Sequence, residues 1–302
     1  MQTGAGTQPG RRQRGTTSAA DRVWRARLRE AVHFPDLSER RALKLSAVLH
    51  YTSRAHFGLW HRRMGTPNFE RFTGVFTPLY FVALEVSDTP LEPMQPVRVR
   101  GETYLAKTLA ADGTVNHLIR EGRHSVLVPG ASAAEVMVAS ARLTNVFTRY
   151  DSDPVRRRVT TLPEAMGLGE LPSRVGELPA LETIVPSGRR PDFAEADTSV
   201  WHYGQTDANR HVNGMEYLRM MECYVADVLH RAGHDLRRLY FAGARIIYRK
   251  PCFRGEGYRR TAWFRGEAPL TISGAFYKDG DGNDARPAVA IELTVSQHES
   301  GQ

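Results

Sequence analysis

Six prolines fall between residues 151 and 194, at positions 154, 163, 172, 179, 186 and 191. Each proline fixes its own φ and removes a backbone donor, so no long helix or strand can run through this stretch. A connector of that length is uncommon inside one compact domain. It therefore reads as a crossover, with a short helical turn around 163–167, between two folding units of the 302-residue chain. The two units show one order of elements. In each, a helical pattern precedes a run of strand patterns.

In the first unit, Leu45, Val48, Leu49, Phe57 and Trp60 mark a helix over 43–64, with Gly65-Thr66-Pro67 as its stop. Strand patterns follow over 76–86, 97–105, 115–128 and 136–150, separated by turn-forming residues such as Ala111-Asp112-Gly113 and Pro129-Gly130. In the second, 200–205 reads as a strand and 214–231 as a helix closed by Gly233. Strands are expected over 240–250, 258–264, 270–277 and 288–296. In the last, Val289, Ile291, Leu293 and Val295 alternate with smaller or polar neighbours. The acidic run Asp279 to Asp284 lacks the Gly and Glu that a calcium loop needs at its sixth and twelfth positions, and reads as a hairpin turn. The architecture is duplicated, although no duplicated sequence is visible.

The second helix is entered through Asp207-Ala-Asn209-Arg-His211-Val-Asn213-Gly-Met-Glu-Tyr217-Leu-Arg-Met-Met-Glu222. Asp207, Asn209 and His211 occupy positions i, i+2 and i+4, which an extended segment presents on one side. Met215, Leu218, Val225 and Leu229 then form an apolar helical stripe, and Glu222 interrupts it. A carboxylate there is costly unless it is paired or used. A capping residue explains one polar group ahead of a helix. It does not explain an alternating Asp, Asn and His followed by a carboxylate on the apolar face.

This segment resembles the 4-hydroxybenzoyl-CoA-type hotdog thioesterases. In its tighter Asp-x-Asn-x-His-Val-Asn form it is similar to the plant fatty acyl-carrier-protein thioesterases, which are double hotdogs. The resemblance covers about sixteen residues closely, and beyond them it rests on element order. It implies an α+β tandem hotdog, each half a long helix wrapped by an antiparallel sheet. The chain divides accordingly into a basic tail (1–30), a first hotdog (31–150), the crossover (151–194) and a second hotdog (195–302). The first half would wall the acyl tunnel without catalytic residues, since Phe34-Pro35-Asp36-Leu37-Ser38 is followed by no Asn or His at the matching spacing.

The activity implied is hydrolysis of an acyl thioester to a free acid, in fatty acid or polyketide-type secondary metabolism. Asp207 would act as nucleophile or general base, Asn209 would orient water or carbonyl, and His211 would relay a proton or hold Asp207. A backbone N–H near Val212, Asn213 or Gly214 would bind the oxyanion. The plant enzymes carry a Glu before the Cys of a later Tyr-Arg-Arg-Glu-Cys segment. In the matching Tyr248-Arg-Lys-Pro-Cys252, that place is held by Pro251, which leaves Glu222 as the spare carboxylate, either functional or a buried pairing partner. A lyase or conjugate-addition enzyme on an unsaturated acyl thioester is the alternative. The Asp-x-Asn-Pro-x-His spacing of hotdog hydratases is absent, which favours hydrolysis.

The net charge of +8 is concentrated at the start: residues 1–30 carry +5 and leave +3 for the rest. No basic stripe with interleaved aromatics points to nucleic acid. A mildly basic body suits an acidic acyl carrier protein or the phosphates of coenzyme A. Residues 1–20 have too few large apolar groups to offset ordering and predict disorder, while 22–30 read as a short charged helix. No apolar run spans a bilayer and the start is no secretory signal, so a cytoplasmic protein, monomer or homodimer, is expected. Two cysteines make neither a disulfide framework nor a metal site, and both Cys223 and Cys252 read as packing residues. His50, His56 and His61 are spaced six and five apart, off any common helix face. No metal or cofactor is implied.

Overall fold

The computed structural model describes residues 23–64, 74–130, 134–151, 153–166, 168–174, 177–266, 270–280 and 286–297. Expectations for the tail at 1–20, the helix stop at 65–67 and most of the turn at 279–284 lie outside them.

The first strand corrects the sequence reading. In place of the helix expected over 22–30, the described residues from 23 on form a strand, β1 (Val23–Ala31), with Trp24 and Ala26 buried while Arg25, Arg27 and Arg29 are exposed. Alternation of apolar and charged side chains is the two-residue period of a half-buried strand, and it prevails over the charge content. Helix α1 (Leu45–Met64) follows. Then come β2 (Val75–Phe76), β3 (Leu79–Val86), β4 (Pro96–Leu109), β5 (Val115–Pro129), β6 (Glu135–Val146) and β7 (Thr148–Arg149). Two expected strands are thus each divided. Thr77-Pro78 separates β2 from β3, Phe147 separates β6 from β7, and the two short pieces pair with each other.

The crossover contributes β8 (Ser173–Arg174), β9 (Phe193–Ala194), a four-residue helix at Pro154–Arg157 and 3-10 turns at Glu164–Met166 and Leu181–Thr183. β8 adds to β4 in parallel. Leu181 and Ile184 bury themselves against Phe81, Ile247 and Ala290. The connector is therefore a packed strap, held by its few large apolar side chains.

The second half runs β10 (Ser199–Val200), α2 (Gly214–Arg231), β11 (Leu239–Tyr248), β12 (Gly257–Arg265), β13 (Leu270–Lys278) and β14 (Val289–Gln297). The strand expected over 200–205 is only β10; Tyr203–Gln205 is a 3-10 turn. Helix α2 has the expected bounds, with Gly233 at φ 87° just beyond it.

The main path of the sheet is β1-β4-β5-β6-β3-β11-β14-β13-β12-β10, which reads as two five-strand halves meeting at antiparallel β3 and β11. Both helices pack on one face, against the sheet and each other, and one apolar core runs through both halves. Burying a Leu or Ile such as Leu84 or Ile246 contributes about 1.5–3 kcal/mol each. The continuity of that core makes the two halves one cooperative body.

The duplication reaches further than the order of elements. Ahead of α1, Ser38 N–H donates to Ala42 O at 2.8 Å, Arg41 N–H to Ser38 O at 2.9 Å and Lys44 N–H to Asp36 O at 2.8 Å. Ahead of α2, Asp207 N–H donates to His211 O at 3.0 Å, Arg210 N–H to Asp207 O at 2.9 Å and Asn213 N–H to Gln205 O at 2.8 Å. Arg41 and Arg210 both adopt left-handed backbone, at φ 63° and 66°. A constant shift of 169 residues superimposes the two, from His33 on His202 to Leu45 on Gly214. The repeat is thus one of backbone geometry: over these positions only His33/His202 and Arg41/Arg210 are identical, so no duplicated sequence is visible.

Candidate active site

Local hydrogen bonding gives the motif a different shape from the extended segment expected. Residues 207–211 close a tight hairpin whose loop ends with Arg210 in the left-handed region. Asp207 and His211 are the facing residues of this hairpin, and Thr206 bridges Val212 just below. Facing residues of an antiparallel pair stand on the same side of the ribbon. The backbones of Asp207 and His211 thus face each other across a turn instead of lying along one strand. Asn209 sits at the tip.

Asp207 Oδ1 accepts the Asn209 N–H at 2.8 Å, which stiffens the turn. Asp207 and Asn209 are exposed and His211 is half-buried, so the hairpin is a rim and not the inside of a crevice. The His211 ring meets Phe253 edge-on, with centroids 5.4 Å apart, and the two residues form a backbone bridge.

The N–H groups after His211 are not equivalent. Val212 N–H donates to Cys252 O at 2.8 Å and Asn213 N–H to Gln205 O at 2.8 Å, so both are committed. Asn213 caps α2: its side chain accepts Met215 N–H at 3.0 Å and its carbonyl accepts Glu216 N–H at 2.9 Å. The Gly214 N–H takes part in none of these bonds. It lies at the positive end of the α2 dipole, where a developing negative charge is favoured.

Glu222 is elsewhere. Eight residues beyond Gly214, it is displaced by about 12 Å along α2. It is 8% exposed, and its carboxylate accepts from the Ser46 hydroxyl and the Leu45 and Ser46 backbone N–H groups at the start of α1. Lys44 stands where Asn213 caps the other helix, and an ammonium cannot accept a hydrogen bond. Glu222 supplies the missing cap across the two halves. Burial pushes its carboxyl up to about 7, against the opposing pull of the Ser46 and Leu45 hydrogen bonds and the Lys44 charge. Of the two readings of this residue, buried pairing partner is the one the contacts support.

The remaining expectations divide. Cys252 is buried, its thiol pushed up by burial, and its N–H donates to Tyr217 Oη at 3.1 Å, which makes it part of the frame beneath Val212. Cys223 is exposed and not in the core, because it points one residue off the buried stripe. His56 is fully buried and bonded through Nε2 to Asn145 Oδ1 at 2.8 Å. At the positions of Asp207, Asn209 and His211 the first half carries Ser38, Arg40 and Ala42, so its hairpin has neither a carboxylate nor an imidazole there. Among the described residues no group of three or more His, Cys, Asp or Glu could hold a metal ion, and no helix is long and apolar enough to cross a membrane.

Sequence reasoning passed over Tyr248, whose hydroxyl donates to Gly214 O at 2.9 Å. It also missed the rim around the hairpin. There the Arg254 guanidinium lies over the Tyr203 ring at 5.9 Å, and Lys278 Nζ lies over Phe253 at 5.6 Å. The one available signal was the Tyr at the head of the Tyr248–Cys252 segment.

No protein-family model matches the chain, and no curated protein matches it in sequence. Solved structures do. A putative oleoyl thioesterase from Lactobacillus plantarum aligns at a TM-score of 0.67 and 15% identity, over 94% of this chain and 100% of that one. An acyl-ACP thioesterase from Bacteroides thetaiotaomicron aligns at 0.63 and 11%, over 93% and 100%. The 12:0-ACP thioesterase of Umbellularia californica aligns at 0.62 and 14%, over 91% and 98%. Similarity at such low identity establishes the architecture: the chain has the tandem hotdog fold found in acyl thioesterases.

Proposed function

We propose that this protein hydrolyses an acyl thioester to a free acid and a thiol, at the Asp207 hairpin. The observation that supports it most directly is the facing Asp207–His211 pair beside the uncommitted Gly214 N–H at a helix start. In this reading the thioester oxygen rests on the Gly214 N–H, which stabilises the tetrahedral oxyanion. Asp207 supplies the attack by one of two routes. In the first it takes a proton from water, the hydroxide adds to the carbonyl, the C–S bond breaks, and the proton passes by way of His211 to the leaving thiolate. In the second its carboxylate adds directly, the C–S bond breaks to leave an acyl–Asp207 anhydride, and water then hydrolyses the anhydride, giving one proton to the thiolate through His211. Asn209, at the tip, orients the incoming water or carbonyl. The sharing of this fold with three solved thioesterases supports the hydrolase reading.

An exposed rim suits a substrate delivered on a carrier, whose own bulk covers the site. The exposed cations Arg210 and Arg254, with Lys278 and the aromatic rings of Tyr203 and Phe253, border the hairpin. A negatively charged carrier protein would be steered to such a border. The test is a panel of acyl groups offered on both acyl carrier protein and coenzyme A, with release of acid measured. Hydrolysis on the carrier is expected, with kcat/KM falling as salt rises. R254E should raise KM on the carrier by roughly tenfold. Thioesters left intact on both carriers would overturn the hydrolase reading. Preference for coenzyme A, insensitive to salt, would overturn the carrier alone.

A further inference from the structure

We propose that Tyr248 is a positioning residue that aims the Gly214 N–H at the thioester oxygen. The inference rests on the hydrolase reading above and adds a residue to it. The Gly214–Met215 peptide is clamped at both ends. Its N–H is held by Asn213 Oδ1 at 3.0 Å, and its carbonyl accepts the Tyr248 hydroxyl at 2.9 Å. The preceding peptide has its carbonyl on Glu216 N–H at 2.9 Å. With these groups fixed, the Gly214 N–H between them can point only one way. Burial pushes the Tyr248 phenol far above its ordinary range, so the hydroxyl remains a donor at every working pH.

Position 214 is matched to this contact. A Cβ built there would lie 3.3 Å from Tyr248 Oη, and 3.5 and 3.6 Å from the ring carbons beside it. Glycine lets the phenol approach the first turn of α2 closely enough to hold its carbonyl. At the corresponding place in the catalytically silent half stands Leu45, whose N–H is covered by Glu222. The phenol clamp and the bare glycine occur together at the terminus that carries Asp207 and His211. Tyr248 touches neither substrate nor reacting atoms in this scheme. Its effect passes through the backbone.

The test uses the full chain with Y248F, G214A and the double variant. Y248F removes only the hydroxyl and keeps the ring. It should lower kcat roughly tenfold with KM within about twofold of wild type, because the oxyanion is held only in the transition state. Affinity for a non-hydrolysable thioether analogue, which develops no oxyanion, should stay unchanged. G214A should cost more activity in the wild-type background than in Y248F, where the 3.3 Å contact no longer exists. Unchanged kcat in Y248F beside an active wild type would overturn the inference, and so would additive G214A and Y248F losses. An inactive wild type would instead defeat the hydrolase reading. If G214A does not fold, the Y248F kcat–KM split decides alone.

Discussion

Replacing Asp207 by Asn is expected to reduce acid release about 10³-fold, equivalent to about 4 kcal/mol of barrier, in a protein that stays folded. Folding should survive because the part Asp207 plays in the hairpin does not need its charge. Its Oδ1 accepts the Asn209 N–H and its backbone N–H donates to His211 O. An amide oxygen accepts the first bond equally well, and the second is main-chain. What Asn cannot do is attack a carbonyl or take a proton from water. The measurement is free acid released per enzyme, alongside thermal unfolding to show that the fold persists. Hydrolysis at the wild-type rate would remove Asp207 from the mechanism. A single turnover of wild type in ¹⁸O-water then tests for one of its two roles: label appearing in the Asp207 carboxyl marks direct attack through an anhydride that water opens at the Asp207 carbon.

The sequence made the architecture legible because each strand buries one face and each helix one stripe. Val289, Ile291, Leu293 and Val295 alternate, and all four are buried in β14. The same rule, applied to Trp24, Ala26 and Leu28, would have made residues 23–31 a strand, but the arginines between them drew the reading toward a helix. The site was legible as a set of residues and not as a shape. Its hairpin depends on left-handed backbone at Arg210, a residue with none of the usual preference of Gly or Asn for that region, so the turn-forming Asp207 and Asn209 did not by themselves locate it. The repeat was hidden for a related reason. It is conserved as hydrogen bonds between backbone groups, which any side chains can accompany. Contacts between distant segments left no local trace either, as with the Tyr248 hydroxyl on Gly214 and the Glu222 carboxylate at the start of α1.

Glu222 leads to a prediction about stability. Its carboxyl titrates at about 7 when folded against an ordinary value of 4.5, so the folded state holds its proton more tightly than the unfolded state. The stabilisation from that proton is complete below about pH 4.5. It is lost as pH climbs through 7, by about 3 kcal/mol in all. Wild type should therefore lose stability between pH 5 and 8 more steeply than E222Q, which stays neutral throughout and still offers an oxygen to the Leu45 and Ser46 N–H groups. The difference between their unfolding curves isolates this one group from every other that titrates. E222L tests the cap itself. Leucine suits the apolar stripe of α2 but leaves two N–H groups and the Ser46 hydroxyl without their acceptor, a loss of about 2–4 kcal/mol. Parallel pH profiles for wild type and E222Q would show that the carboxyl is not held as described. A stable E222L would show that α1 does not depend on its cap. Since β3–β11 pairing and the shared core still join the halves, E222L should unfold in one transition at lower stability.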